Sequence, residues 1–339
     1  MNYRALGRSG LRVSELCLGT MIFGEESQRS AEPDEAIRMV HRFIDRGGNH
    51  IDTANVYADG RSEEIVGEAL RDRRDRVVLA TKVRFRMGPG PNDAGLSRRH
   101  IFSSVEGSLR RLKTDYLDLL YMHCSDPFTP IEESLGAFDD LVREGKVRYI
   151  GLSNFKAWRF MKALATSDAN HWSRFVAAQY QYSLVVRDIE REFIDLCEQE
   201  GVGMVPWGPL GGGFLSGKYR PDQKPSSAGE GRLATTPDHD EEAWDRRATD
   251  RNWTILDVME ELIADRPGAT YSQIAIAWLL AQPAVSSVVI GARNLAQLDD
   301  NLEAVDLALR QGEIKRLTQV SGFDEGYPYR YLKLYGGSR

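Results

Sequence analysis

Val77-Val78-Leu79-Ala80-Thr81-Lys82-Val83 is a short apolar run with a lysine near its C-terminal end. It reads as a buried strand, and a lysine there is costly unless a partner reaches it. Working outward, the same grammar repeats on both sides. Before it come Leu16–Gly19 and His50–Thr53, and after it Leu117–His123, Val147–Leu152, Phe175–Tyr180, Gly203–Trp207 and Val285–Ile290. Helical patterns separate these runs. Pro33–Arg46 puts Ala36, Ile37, Val40, Phe43 and Ile44 on one face. Ser62 is expected to cap a helix to about Arg71. Ser97–Leu112, Ile131–Glu144 and Ile189–Glu200 follow, the last two ended by Gly145 and Gly201. Further helices start near Ala157 and over Leu295–Asn301.

Eight strands alternating with helices predict a (β/α)8 barrel of parallel strands. A doubly wound sheet is the alternative, but no G-x-G-x-x-G follows the first strand. Tyr3 to Ser14 reads as an N-terminal β-hairpin. Tyr219 to Asp240, rich in Pro, Ser, Gly and charge, reads as a long surface loop, and Gly322 to Arg339 as an extra C-terminal helix or tail. Residues 1–339 are expected to form one barrel domain.

The chain has 339 residues, 42% apolar and 28% charged, the mix of a globular protein. A net charge of −6 argues against nucleic acid or an anionic membrane as partner. Cys17, Cys124 and Cys197 all lie in apolar runs and read as buried thiols in a reducing compartment. No apolar run approaches membrane-spanning length, and Met1-Asn2-Tyr3-Arg4 does not open a signal peptide. A cytoplasmic location is expected.

In a barrel, the C-terminal ends of the strands form the active face. Lys82 is there, with Asp52 at the end of the neighbouring strand as its partner. Tyr57 follows five residues later, and His123 ends the fourth strand. Each has an ordinary reading: a snorkelling lysine, an Asx turn, a rim aromatic, a structural histidine. Together they form a proton-donating centre. A buried ammonium is expected to stabilise the Tyr57 phenolate and lower its pKa toward working pH. Asp52 would keep Lys82 charged, and His123 would orient a carbonyl or pass the proton. Electrons would have to come from a cofactor.

The chain resembles the aldo-keto reductase family. The resemblance rests on Leu18-Gly19-Thr20-Met21, Ile51-Asp52-Thr53-Ala54 with Tyr57, Thr81-Lys82 and Met122-His123. It continues through Gly145 to Asn154, Gln179-Tyr180, Trp207-Gly208-Pro209-Leu210, and Ile290-Gly291-Ala292-Arg293-Asn294 with Gln297 and Asn301. It implies that Asp52, Tyr57, Lys82 and His123 are the catalytic tetrad, with Tyr57 as proton donor. It implies that Ser153, Asn154 and Gln179 hold a nicotinamide carboxamide. Trp207, where many members have tyrosine, would stack on the ring. Leu210, Gly212, Gly213, Ser216 and Lys218 match a strap over the pyrophosphate. Arg293 matches a 2′-phosphate contact, so NADPH is expected in preference to NADH. Gln297 and Asn301 match adenine contacts. Gly19, Thr20, Met21, Gly208, Pro209, Ile290, Gly291 and Ala292 complete the expected cofactor contacts, with Asp52.

Met21, Phe23, Phe85 and Phe128 are expected to line an aromatic–apolar substrate pocket. Asp126 reads as a substrate contact or the start of the turn at Pro127. The implied activity is NADPH-dependent reduction of an aldehyde or ketone, a small-molecule substrate. Two alternatives compete: a nucleotide-binding regulatory subunit with slow turnover, and a Schiff-base aldolase with Lys82 as nucleophile.

Overall fold

The computed structural model of the chain describes residues 1–25, 30–221, 223–226, 231–238 and 240–336. A hairpin of β1 (Tyr3–Ala5) and β2 (Arg12–Ser14) opens it. Eight parallel strands follow: β3 (Leu16–Gly19), β4 (His50–Asp52), β5 (Val78–Val83), β6 (Leu117–Met122), β7 (Val147–Ser153), β8 (Phe175–Gln179), β9 (Gly203–Met204) and β10 (Val288–Ile290). Their order is β10-β3-β4-β5-β6-β7-β8-β9. Backbone hydrogen bonds from Met204 to Ala284 (3.0 Å), Ser286 to Met204 (2.8 Å) and Val289 to Pro206 (2.8 Å) close the β9–β10 seam. The barrel read from the sequence is therefore the fold. The last two barrel strands are shorter than their apolar runs suggest, because 205–207 and 285–287 are held by isolated contacts.

The connecting helices are α1 (Pro33–Asp45), α2 (Arg61–Ala69), α3 (Arg98–Leu112), α4 (Ile131–Arg143), α5 (Ala157–Asn170) and α6 (Phe193–Glu200). Their apolar faces pack on the outside of the sheet in the main core. Ser62 does not cap α2. The helix begins behind Gly60, whose φ is +95°, and the buried Ser62 hydroxyl donates to Thr20 O at 2.8 Å. It pins the helix start to the C-terminal end of β3. The helix expected over Ile189–Glu200 breaks at Glu192. Arg187 there clamps Glu190 at 2.7 Å and donates to Thr318 O at 2.6 Å, fixing the chain before α6 starts.

The long 219–240 stretch lies partly outside the described residues. Its described part includes α7 (Arg232–Thr235), whose Leu233 is buried. Beyond it come α8 (Trp244–Arg247), α9 (Asp250–Ala264) and α10 (Tyr271–Leu280), to which the sequence reading assigns nothing. α11 (Leu295–Leu302), α12 (Gln311–Val320) and α13 (Tyr329–Tyr335) complete the chain. The tail packs beside α6, where Arg191 donates to the Glu325 and Asp324 carbonyls and Tyr329 to Glu192. No described tail residue reaches the barrel mouth. Its last three residues, 337–339, lie outside the described residues.

The hairpin plugs the N-terminal mouth. Leu6 and Val13 join Val78, Ala80, Leu119, Ala177 and Val205 in the barrel interior. Gly7, at φ +60°, lets the turn lie against the Gly201 carbonyl, which an added Cβ would approach to 2.4 Å. With this end shut, ligands can enter only at the C-terminal mouth.

His50 lies fully buried inside the barrel, and burial pulls its pKa down to about 4. In the unfolded chain it would titrate near 6.5. Between those values the unfolded state binds a proton that the folded state refuses. The stability contributed by neutral His50 is thus complete above pH 6.5 and is lost as pH falls toward 4. The loss is of order 3 kcal/mol. Thermal unfolding should show a Tm that falls steadily between pH 6.5 and 4.5, with a shallower slope in His50→Gln. Equal slopes would contradict this.

Candidate active site

Asp52 and Lys82 leave the ends of adjacent strands and meet as an ion pair, Lys82 Nζ on Asp52 Oδ2. Lys82 is 1% exposed. Its ammonium also donates to Thr53 O at 2.9 Å and reaches the Tyr57 hydroxyl at 3.3 Å. Gln179 Nε2 donates to the other Asp52 oxygen at 2.9 Å. Tyr57 opens a tight turn in which Ala58 and Asp59 have φ of 47° and 51°. Left-handed residues of this kind are costly and cluster at functional sites. His123 stands edge-on to Tyr57 (centroids 5.8 Å) and to Phe85 (4.8 Å).

The charges settle which groups carry protons. Burial alone would pull the Lys82 ammonium down, but Asp52 and Tyr57 beside it outweigh that and hold its pKa above the ordinary lysine value. Burial pushes the Tyr57 phenol up, and Lys82 only partly offsets it. The expected lowering of Tyr57 is therefore not found. Desolvation of the phenolate wins, and the residue is a neutral phenol at working pH. Burial, then Lys82 and Arg84, hold His123 well below the usual imidazole range, so it is neutral. Its Nδ1 is buried without a hydrogen-bond partner. A charged, fully buried lysine is a poor nucleophile, which argues against Schiff-base chemistry.

These groups sit at one end of a cavity of about 610 Å³ that runs across the C-terminal mouth. Asp52, Tyr57 and His123 are on its wall, while Lys82 stands behind it. Gly19, Thr20 and Met21 follow β3 on the same wall. Ser153, Asn154 and Gln179 come from β7 and β8, then Trp207 to Leu210. Gly212, Gly213, Ser216 and Lys218 continue the wall, and Ile290, Gly291, Arg293, Gln297 and Asn301 form its far end. Ala292 is 2% exposed and is not on the wall.

The donors in the middle of this wall are directed inward. Ser153 donates to Gln179 O at 2.8 Å, and Asn154 Nδ2 to His123 O at 3.0 Å. Asn154 takes φ +56° to do so. Gln179 Nε2 is held by Asp52. With these N–H and O–H groups spent on protein, acceptor oxygens remain for a ligand. At the far end, Arg293 makes no ion pair among the described residues. Its backbone N–H donates to Gln297 at 3.1 Å, and Asn301 donates to Gly291 O at 3.1 Å. Asn294 caps α11 by accepting from Gln297 N at 3.0 Å.

Two of the aromatics expected around a substrate are elsewhere. Phe23 is 0% exposed and packed in the outer core, because the chain after β3 turns it inward beneath Ala31. Phe128 is 91% exposed and borders a separate cavity of about 280 Å³ between the loops after β6 and β7. Met21 and Phe85 are on the wall of the main cavity, joined by Ile22 and Val56, which the sequence reading passed over. Asp126 is a turn residue. It accepts from Leu96 N (2.8 Å), Phe128 N (3.0 Å) and Thr129 (2.7 Å). Cys17 and Cys197 are buried, whereas Cys124, next to His123, is only partly so.

The sequence reading also missed Arg232, Glu242 and Asp300 on the wall. Arg232 pairs with Glu242 at 2.5 Å, and Gln273 donates to Asp300 at 2.9 Å. The composition of 219–240 hid Arg232, since an arginine in a polar loop carries no strand-end signal. No helix among the described residues is long and apolar enough to cross a membrane.

An eight-stranded barrel with a buried lysine–carboxylate pair behind a phenol at its open mouth is the frame of a (β/α)8 oxidoreductase. Residues 15–321 match the aldo/keto reductase family, and the chain belongs to that family. It is 38% identical to a protein of Arabidopsis thaliana named a probable voltage-gated potassium channel subunit beta, over 91% of this chain and 92% of that one. It is also 38% identical to the uncharacterized oxidoreductase YrpG of Bacillus subtilis, covering 94% and 96%. With norsolorinic acid reductase of Aspergillus flavus it shares 37%, over 97% and 84%.

Proposed function

We propose that the protein reduces an aldehyde or ketone with NADPH, with Tyr57 as proton donor. The observation that carries this reading is the Lys82–Asp52 pair set directly behind a neutral, half-buried Tyr57 phenol on the wall of a large cavity. Family membership supports the oxidoreductase class.

The wall fits a nicotinamide dinucleotide phosphate. Ser153, Asn154 and Gln179 offer acceptor oxygens that complement the NH2 of a carboxamide. Trp207 offers a flat face. Gly212, Gly213, Ser216 and Lys218 suit the pyrophosphate, since glycines let backbone approach closely and the lysine brings positive charge, while Arg232 beside them is already paired with Glu242. Arg293 suits a 2′-phosphate, and Gln297 with Asn301 an adenine. When bound, the reduced nicotinamide supplies the hydride.

The chain's own residues do the rest. Neutral His123 donates a hydrogen bond to the carbonyl oxygen without adding a charge. Tyr57 gives its proton to the alkoxide oxygen as negative charge develops there. The Lys82 ammonium stabilises the resulting phenolate, and Asp52 keeps that ammonium charged and aimed. The apolar side chains Met21, Ile22, Val56 and Phe85 favour a hydrophobic carbonyl compound and exclude water.

Tryptophan-quenching titrations test the cofactor half. NADPH should bind more tightly than NADH. Arg293→Ala should weaken NADPH by about 10- to 100-fold, as expected for losing a charge-assisted pair, and leave NADH nearly unchanged. Equal binding of both nucleotides by the parent would remove the 2′-phosphate role. A second reading, a nucleotide-binding regulatory subunit with slow turnover, draws on the likeness to the plant protein named for a channel subunit. Tight NADPH binding with turnover far below about 1 s⁻¹ on every carbonyl would favour it.

A further inference from the structure

Barrel interiors of this class are filled mainly by branched apolar side chains. Here the layer beneath the Lys82–Asp52 pair is polar. His50 precedes Asp52 by two residues on β4 and so shares its inward face. Tyr121 is the register partner of Lys82 across β5 and β6. Gly151 admits its ring, since a Cβ there would come within 2.5 Å of Tyr121 Cε1. Cys17, the register partner of His50, faces the same space from β3. All three are 0% exposed.

Among the described residues, two atoms in this layer have no hydrogen-bond partner of good geometry. The Ser287 hydroxyl donates to Ser14 O at 2.7 Å, so toward His50 Nδ1, 3.1 Å away, it can only accept. His50 Nδ1 therefore carries the proton, and its buried Nε2 is a bare acceptor with no donor. The buried Tyr121 hydroxyl likewise lacks a partner of good geometry, although it lies beside the Gln179 amide. Left dry, each orphan would cost about 1–3 kcal/mol. Buried water is the usual remedy. The groups form a line, Tyr121–Gln179–Asp52–Lys82–Tyr57, in which Gln179 is the only side chain besides Lys82 bonded to Asp52 among the described residues.

We propose that the barrel interior beneath the Lys82–Asp52 pair holds ordered water on the Tyr121 hydroxyl and His50 Nε2, and that these two residues thereby act as positioning residues for Asp52. This rests on the reading of Asp52, Lys82 and Tyr57 as the proton-handling group. Tyr121 and the water fix the Gln179 amide, and Gln179 fixes the carboxylate that aims Lys82 at Tyr57. No proton leaves the line. Among the described residues, the charged and titratable groups that act on His50 and Tyr121 are Cys17 from β3, Asp52 from β4 and Lys82 from β5.

Tyr121→Phe tests both halves, because it removes one oxygen and keeps the ring. We expect kcat for NADPH-driven carbonyl reduction to fall about tenfold, with carbonyl KM and NADPH affinity within about twofold of the parent. We expect Tm to fall as well, since the water loses a partner. In a dry interior the same change deletes an unsatisfied hydroxyl, so Tm would hold or rise, which overturns the hydration. A kcat within about twofold of the parent overturns the positioning role. Should Tyr121→Phe not fold, His50→Leu against His50→Gln makes the same test. Leucine should lower kcat at constant KM, and glutamine, which restores an acceptor, should recover most of it; equal kcat in the two would overturn the proposal. If the parent turns over no carbonyl, the reductase reading fails, and Tm still reports on the water.

Discussion

Tyr57→Phe should lower kcat by roughly 10²–10⁴-fold, the usual contribution of a positioned general acid, while NADPH affinity stays within a factor of about two. The ring carries the packing against His123 and the face toward Lys82, whose Nζ is 4.9 Å from the ring centre. Phenylalanine keeps both. What disappears is the hydroxyl 3.3 Å from the Lys82 ammonium, the one acidic proton set between that cation and the cavity. Because burial holds the phenol above its ordinary value, the donor form persists through the neutral range. Loss of activity on the alkaline side should therefore begin no lower than the titration of a free tyrosine, near pH 10. A Tyr57→Phe enzyme with parental kcat would place the proton donor elsewhere.

Lys82→Met should cost about 3–5 kcal/mol of stability by urea unfolding. Methionine fills the space of the lysine stem. The cost comes from Asp52, 2% exposed, which would stay behind as a buried carboxylate with only Gln179 on its other oxygen. A buried pair is weak evidence for stability, but breaking one is expensive. The double variant Lys82→Met/Asp52→Leu should therefore recover most of the lost stability and none of the activity. Recovery of activity, or a single variant as stable as the parent, would contradict the role given to the pair.

Much of this was legible in the chain because a buried strand that ends on a charged side chain breaks its own rule. Lys82 and Asp52 do so on adjacent strands, which by itself places both at the same mouth. The barrel followed from short apolar runs alternating with amphipathic helices. What failed, failed for physical reasons. α10 is apolar on nearly every side, with Ile274 to Leu279 all buried, so it shows no helical stripe to read. Ser62 has the composition of a cap, but its partner Thr20 is distant in sequence. Phe23 and Phe128 both follow strands, and nothing local says that one turns into the core and the other into solvent. The direction of the Tyr57 shift needed a balance of burial against Lys82, which position alone does not supply.

On this reading, the cavity moves a hydride from NADPH to a carbonyl carbon. The most direct measurement supplies NADPH deuterated at the transferable position of the nicotinamide, with a panel of apolar aldehydes and ketones, and reads the products by mass spectrometry. The expected product is an alcohol bearing one deuterium at the former carbonyl carbon, formed by the parent and nearly absent with Tyr57→Phe. No labelled alcohol from any member of the panel, despite saturating NADPH bound to a folded protein, would contradict it.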